Sequence, residues 1–122
     1  MCRCWIAAAV LYGAAAAPAL ADADAVRGKQ LYESRCIACH SIDDNRVGPA
    51  HKGVFGRKAG SAKGYAYSAA LVNSKIVWDQ RSLQDWLADP ESLIPGQKMG
   101  YSVPEAGDRA DLVAYLRTQS GK

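Results

Sequence analysis

The stretch that decides the fold is Cys36-Ile37-Ala38-Cys39-His40. Two thiols lie about one helical turn apart there, and an imidazole follows the second thiol directly. In an exported protein, two cysteines with this spacing can form a disulfide or a thioredoxin-like redox pair. A zinc site built on the same residues would need a fourth ligand, for which His51 is the remaining imidazole. The complete five-residue pattern is instead the attachment signature of c-type haem, and we favour that interpretation.

Haem attachment has a direct chemical basis in this stretch. Thiols at this spacing can each add to one vinyl group on a haem edge, and His40 then projects beneath the ring toward the iron. A covalent tether also keeps the cofactor in a chain too small to wrap it completely. The sequence therefore predicts one covalently bound haem c, attached at Cys36 and Cys39 and ligated by His40.

The second axial ligand of such an iron must come from elsewhere in the chain. Outside the N-terminal segment the candidates are His51 and Met99. Met99 follows a Pro95-Gly96 turn and is far enough from His40 for the chain to return on the opposite side of the haem. A lone methionine is more often core filler. A thioether ligand, however, raises the reduction potential and suits an electron carrier, so we predict Met99.

The first 21 residues have the pattern of a secretory signal. Arg3 provides a positive charge, residues 5–17 are almost entirely apolar, and Ala19-Leu20-Ala21 matches a signal peptidase site. The apolar run is short for a membrane span, so an uncleaved anchor is the less favoured alternative. We predict cleavage after Ala21, a periplasmic location and a single domain over residues 22–122.

Composition and charge limit the possible partners. The 122 residues carry a formal net charge of +3, with 49% hydrophobic and 22% charged residues. These values are ordinary for a small globular protein, and the charge is too weak to argue for nucleic acid binding. We expect a monomer with no nucleic acid partner.

Hydrophobic periodicity predicts an all-α fold. Residues 26–35 can form a helix with Gly28 and Tyr32 on one face, and Leu112, Tyr115 and Leu116 form a matching stripe near the C-terminus. We expect these two helices to cross, because a glycine beside an aromatic residue permits close approach.

A third helix is predicted in the middle of the chain. Asp79 is a good N-cap, the stripe Leu83, Trp86 and Leu87 follows, and Pro90 ends the helix. The stretch from His40 to Lys75 has many glycines and no strand alternation, which a cofactor to wrap would explain.

Taken together, these residues resemble the class I cytochromes c of the mitochondrial type over nearly the whole chain after the signal. The matching segments include Val47-Gly48-Pro49, Gly64-Tyr65-Ala66-Tyr67-Ser68 and Ile94-Pro95-Gly96-Gln97-Lys98-Met99. The resemblance implies the small cytochrome c fold, in which N- and C-terminal helices cross and long loops wrap one covalently attached haem. It also implies that the Pro49 carbonyl accepts a hydrogen bond from His40, and that Arg57, Tyr67 and Trp78 contact the haem propionates.

The function implied is soluble electron transfer, with iron cycling between Fe(III) and Fe(II). The expected partners are redox proteins, namely a quinol:cytochrome c reductase, a terminal oxidase or a periplasmic dehydrogenase, docked transiently at membrane complexes. Because both axial positions would be filled, we expect no enzymatic activity. The alternative is a peroxidase-like or gas-binding haem protein with a labile sixth ligand, suggested by the atypical residues after Met99.

By the same resemblance, Arg35, Arg46 and Lys98 would form a modest positive rim near the haem edge. Several positions depart from the family pattern, among them Gln97, which replaces a more polar residue near the methionine. Trp86 stands where a tyrosine often neighbours the methionine sulfur, and Glu91 stands where mitochondrial relatives carry a docking lysine.

Overall fold

The computed structural model describes residues 22–120 together with Gly13. Residues 22–120 form five helices, α1 (Ala25–Arg35), α2 (Ala69–Asn73), α3 (Gln80–Ala88), α4 (Pro90–Leu93) and α5 (Ala106–Thr118). Over this range no strand forms, and the one isolated backbone bridge pairs Lys58 with Val77. The all-α prediction is confirmed. The predicted signal, residues 1–21 with cleavage after Ala21, lies outside the described residues except for Gly13. None of the helices described is both long and apolar enough to span a bilayer.

Helices α1 and α5 pack directly against each other at Gly28. A Cβ atom at Gly28 would lie 1.9 Å from the Asp111 carbonyl oxygen and 2.9 Å from the Tyr115 Cβ. The rings of Tyr32 and Tyr115 extend the contact, with centroids 5.3 Å apart. The predicted crossing of the first and last helices through Gly28 and Tyr32 is therefore confirmed.

An ionic network fixes the same helix pair. Arg27 on α1 donates to Asp111 at 2.7 Å and to Asp108 at 2.6 Å, both on α5. Arg35 lies 3.2 Å from Asp108, and the Asp24 N–H donates to Asp111 at 2.7 Å. Burial by itself raises the pKa of Asp111, but the hydrogen bonds from Asp24 and Arg27 outweigh it, and the pKa is lowered overall. The Asp111 carboxylate is therefore charged and paired in the folded state.

Helix α3 begins and ends close to its predicted limits. The Asp79 carboxylate accepts from the Ser82 N–H at 2.8 Å, and the Ser82 hydroxyl accepts from the Asp79 N–H at 2.9 Å. This reciprocal capping box fixes the start of the helix. Leu83 and Leu87 are buried. Pro90 follows as the first residue of α4, where its missing N–H costs nothing.

The long segment between His40 and α2 is held by side chains that bind backbone groups. Asn45 donates to the Lys63 carbonyl at 2.9 Å and accepts from the Ala50 N–H at 2.9 Å. The Tyr65 hydroxyl donates to the Val47 carbonyl at 2.6 Å. Such bonds replace the ladders of regular structure, so this segment keeps a defined path without helix or strand.

Candidate haem site

The Cys36–His40 segment forms a tight turn directly after α1. The Cys36 N–H donates to the Tyr32 carbonyl at 2.9 Å, and the His40 N–H donates to the Cys36 carbonyl at 2.8 Å. Both cysteines are free thiols, with Cys36 half-buried and Cys39 exposed. Burial raises the pKa of the Cys36 thiol to about 11. The turn therefore holds two unlinked thiols beside one imidazole, and Cys36 and Cys39 are not joined by the disulfide considered above.

The His40 ring is held by its backbone neighbours. Its Nδ1 lies 3.0 Å from the Pro49 carbonyl oxygen. Because a carbonyl can only accept, Nδ1 carries the proton and Nε2 is left free to bind a metal. Burial lowers the pKa of His40, and the Pro49 hydrogen bond only partly opposes this, so the imidazole is neutral. Gly48 is required for the close fit, since a Cβ there would lie 2.1 Å from the His40 Cε1.

His51 lies against His40 and cannot serve as the opposite axial ligand. The two imidazole rings stack with centroids 4.0 Å apart and an interplanar angle of 21°. Ligands on opposite faces of one haem iron are separated by the haem and cannot stack on each other. Within residues 22–120, no three His, Cys, Asp or Glu side chains converge as a metal site, so a zinc site gains no support there.

Met99 lies in a loop braced by two polar side chains. It is half-buried and, like Cys36, packs against the edge of the hydrophobic core. The Met99 N–H donates to the Gln97 Oε1 at 2.5 Å. The Glu91 carboxylate accepts from the Gln97 side-chain amide at 3.1 Å and from the Gly96 N–H at 2.9 Å. Side chains at both ends of the loop thus restrain the backbone that carries the thioether.

Arg57 has a buried nitrogen that still needs an acceptor. Its two terminal nitrogens donate to carbonyls of the preceding loop at 3.1 and 2.9 Å. Its Nε is buried and has no hydrogen-bond partner among the described residues. A buried donor in this state is costly, and a haem propionate would satisfy it. Trp78 is adjacent, since its backbone N–H donates to the Arg57 carbonyl at 2.9 Å.

The remaining predicted residues lie around the same core. The Tyr67 hydroxyl accepts from the Ala62 N–H at 3.0 Å, and Tyr67 packs against the core cluster. Trp78 is buried, and its ring meets that of Trp86 edge to face at 5.3 Å. Two free thiols, a neutral imidazole, a thioether and an orphaned guanidinium nitrogen form a donor set that fits a covalently attached haem.

The positive rim is smaller than the sequence predicted. Arg35 forms ion pairs with Asp108 of α5 at 3.2 Å and with Glu105, the residue before α5, at 4.0 Å, so its charge is compensated. Arg46 donates to the Ile37 carbonyl at 2.9 Å, which keeps its guanidinium beside the Cys36–His40 turn. Neither Arg46 nor Lys98 takes part in an ion pair with another described residue.

Three residues contribute to the site in ways that no sequence pattern indicates, namely Tyr32, Glu91 and Gln97. Tyr32 was assigned only to helix packing, yet its hydroxyl lies 3.0 Å from the His51 Nδ1. Glu91 was noted only as a departure from the family. Its position before the Pro95-Gly96 turn was the available signal, because that turn brings Gln97 back toward it.

Comparisons with known proteins agree with one another. A profile of the Cytochrome c family matches residues 25–120. Cytochrome c of Euglena viridis is 46% identical over 98 residues, covering 78% of this chain and 96% of that protein. Cytochrome c 2.1 of Caenorhabditis elegans is 39% identical over 102 residues, covering 81% of this chain and 92% of that protein. Among solved structures, cytochrome cH from Methylobacterium extorquens superposes with a TM-score of 0.74 at 45% identity, covering 78% of this chain and 98% of that one.

Proposed function

Because the chain belongs to the cytochrome c family, whose members carry one covalently attached haem c, we propose that it is an exported electron carrier. The observation that carries this proposal is the Cys36–His40 turn. It holds two free thiols followed directly by an imidazole whose Nδ1 is fixed by the Pro49 carbonyl. The fold is the small cytochrome c fold, as the likeness to cytochrome cH shows.

Each site residue has a defined task in this proposal. Cys36 and Cys39 would hold the haem through thioether links, and His40 and Met99 would bind its iron. Bound haem supplies reversible one-electron transfer between Fe(III) and Fe(II). The Pro49 carbonyl holds the tautomer of His40 and raises its basicity. Arg57, Tyr67 and Trp78 would hold the propionates, and the buried Arg57 Nε, which has no partner among the described residues, would pair with one of these carboxylates.

The proposed route for electrons is the haem edge at Cys39. Cys39 is exposed, whereas Cys36 is half-buried, so the edge beside Cys39 faces solvent. Two apolar side chains flank it, Ile37 at 46% and Val47 at 74% relative exposure. If His40 and Met99 both bind the iron, no coordination site would remain for substrate, and we propose on that ground that the protein is not an enzyme.

The proposed partners exchange single electrons by transient docking at this edge. They are a quinol:cytochrome c reductase and a terminal oxidase, or a periplasmic dehydrogenase. The carrier acts as a monomer in the periplasm, as residues 22–122 after removal of the signal behind Ala21. Since Arg35 is already paired, the rates should fall only weakly with ionic strength.

Optical spectra of the haem-loaded protein, matured by c-type machinery, test the proposal. The ferric wild type is expected to be low-spin with a weak far-red methionine–iron band. Met99→Leu, which keeps volume but removes the sulfur, should be high-spin and should bind carbon monoxide rapidly when reduced. Leu93→Ile is the matched control and should keep the wild-type spectrum. A colourless wild-type protein, or one that is already high-spin and takes up external ligands, would overturn the proposal.

A further inference from the structure

His51 is held between Tyr32 and the proposed iron ligand His40. Its Nδ1 lies 3.0 Å from the Tyr32 hydroxyl oxygen, and its ring stacks on that of His40 at 4.0 Å between centroids. Its backbone is fixed as well, because its N–H donates to the Ser41 carbonyl at 3.0 Å and its carbonyl accepts from the Val54 N–H at 2.9 Å. Few degrees of freedom remain for this ring.

Tyr32 connects the stack to the most rigid part of the fold. It is 3% exposed and lies on α1, where its ring contacts Tyr115 of α5. The ring of His51 also meets that of Tyr32 edge to face, with centroids 5.6 Å apart. A continuous series of contacts therefore runs from the helix crossing through Tyr32 and His51 to His40.

The Tyr32–His51 hydrogen bond joins two neutral groups. Burial, with smaller contributions from nearby His40 and Arg57, holds the pKa of His51 well below its usual range. Burial also raises the pKa of Tyr32.

We propose that His51 is a positioning residue that fixes the plane of the His40 imidazole, and that Tyr32 fixes His51. The Pro49 hydrogen bond holds one atom of the His40 ring but leaves the ring free to pivot about that bond. The His51 ring, stacked on the His40 ring with centroids 4.0 Å apart, blocks this rotation. The inference rests on the proposed function, because it takes His40 as the iron ligand. The orientation of an axial imidazole determines how unpaired spin is distributed over a ferric haem, so it can be measured.

The experiment is proton NMR of the haem methyl groups in the ferric cyanide adduct. Cyanide replaces Met99 with a cylindrically symmetric ligand, so the methyl shifts report the imidazole plane of His40 alone. The His51→Leu variant should change the order or spread of the methyl shifts, and His51→Phe, which restores a flat ring, should return them toward wild type. Tyr32→Phe should produce a smaller change in the direction of His51→Leu. Tyr115→Phe removes a hydroxyl from the same helix pair without touching His51 and should leave the pattern unchanged.

The outcomes separate this inference from the proposed function. A wild-type protein without a histidine-ligated haem overturns both. A low-spin wild type whose methyl pattern is the same in His51→Leu overturns the positioning role alone, as does a Tyr115→Phe shift equal to that of Tyr32→Phe. Should His51→Leu fail to mature, Tyr32→Phe decides the question, because it deletes only the hydroxyl that orients His51.

Discussion

Replacing Gly28 by alanine tests the helix crossing most directly. The new Cβ would lie 1.9 Å from the Asp111 carbonyl oxygen and 2.6 Å from its carbonyl carbon. Both are backbone atoms of α5, so neither can rotate away. Ordinary van der Waals contact begins near 3.4 Å, so this gap must widen by about 1.5 Å. Separation on that scale also strains the Arg27–Asp111 ion pair.

The expected cost follows from two opposing effects. Alanine is favoured over glycine inside a helix by about 1 kcal/mol. Overpacking a tight contact costs about 1–3 kcal/mol, and more where backbone must move. Since the clash at Gly28 is with backbone, we expect it to cost about 3–5 kcal/mol. After the helix gain of about 1 kcal/mol is subtracted, Gly28→Ala should lower the free energy of unfolding by about 2–4 kcal/mol.

The assay is denaturant unfolding of the haem-loaded proteins, followed by far-ultraviolet circular dichroism and by haem absorbance. Gly107→Ala is the matched control, because it also lies in α5 but has no neighbouring atom within 4 Å of the added Cβ. It should leave the midpoint unchanged or raise stability by up to about 1 kcal/mol. If Gly28→Ala unfolds at the wild-type midpoint with the wild-type denaturant slope, the crossing has more room than the distances indicate.

Three further perturbations address the site and the network. Glu91→Ala removes the carboxylate that braces the loop carrying Met99, so the ferric protein should bind external imidazole about 2- to 10-fold more tightly in spectral titrations. Glu33→Ala, on α1, is the control and should leave that affinity unchanged. The pKa of Asp111 in the folded protein is lowered from 3.8. The charged carboxylate therefore stabilises the folded state fully above pH 3.8, and this stabilisation is lost as the pH falls through the lowered pKa. Acid unfolding curves should therefore fall less steeply below about pH 4 for Asp111→Asn than for wild type, and parallel curves would contradict the assignment. The double variant Cys36→Ala, Cys39→Ala should be exported largely unfolded, and a cooperative thermal transition in that variant would argue against dependence on the cofactor.

Much of the fold could be predicted because its signals are local. Each of three signals is formed by residues within one or two helical turns of one another: the apolar stripe on α5, the Asp79 cap of α3 and the glycine on α1. The Cys36–His40 pattern is also local, since one turn carries all three groups. The bond between His40 and Pro49 came from family resemblance, and the structure contains it.

The remaining features of the fold and of the site depend on contacts that no short sequence pattern encodes. Helices α2 and α4 were not predicted, because each spans about one turn and starts from a single capping side chain, Ser68 or Asp89, without an apolar stripe. The Tyr32–His51 contact joins groups from separate elements and depends on the path of the loop after His40. Arg35 was placed on the rim by its position in the family, whereas the carboxylates of α5 hold it at the helix crossing.

The crossing of α1 and α5 also sets an order of events during biogenesis. It joins partners as far apart in sequence as Asp24 and Asp111, separated by 87 positions. In a chain that emerges N-terminus first, α1 is therefore made long before α5. Only when the C-terminal residues have been made can α1 and α5 pack against each other and complete the fold.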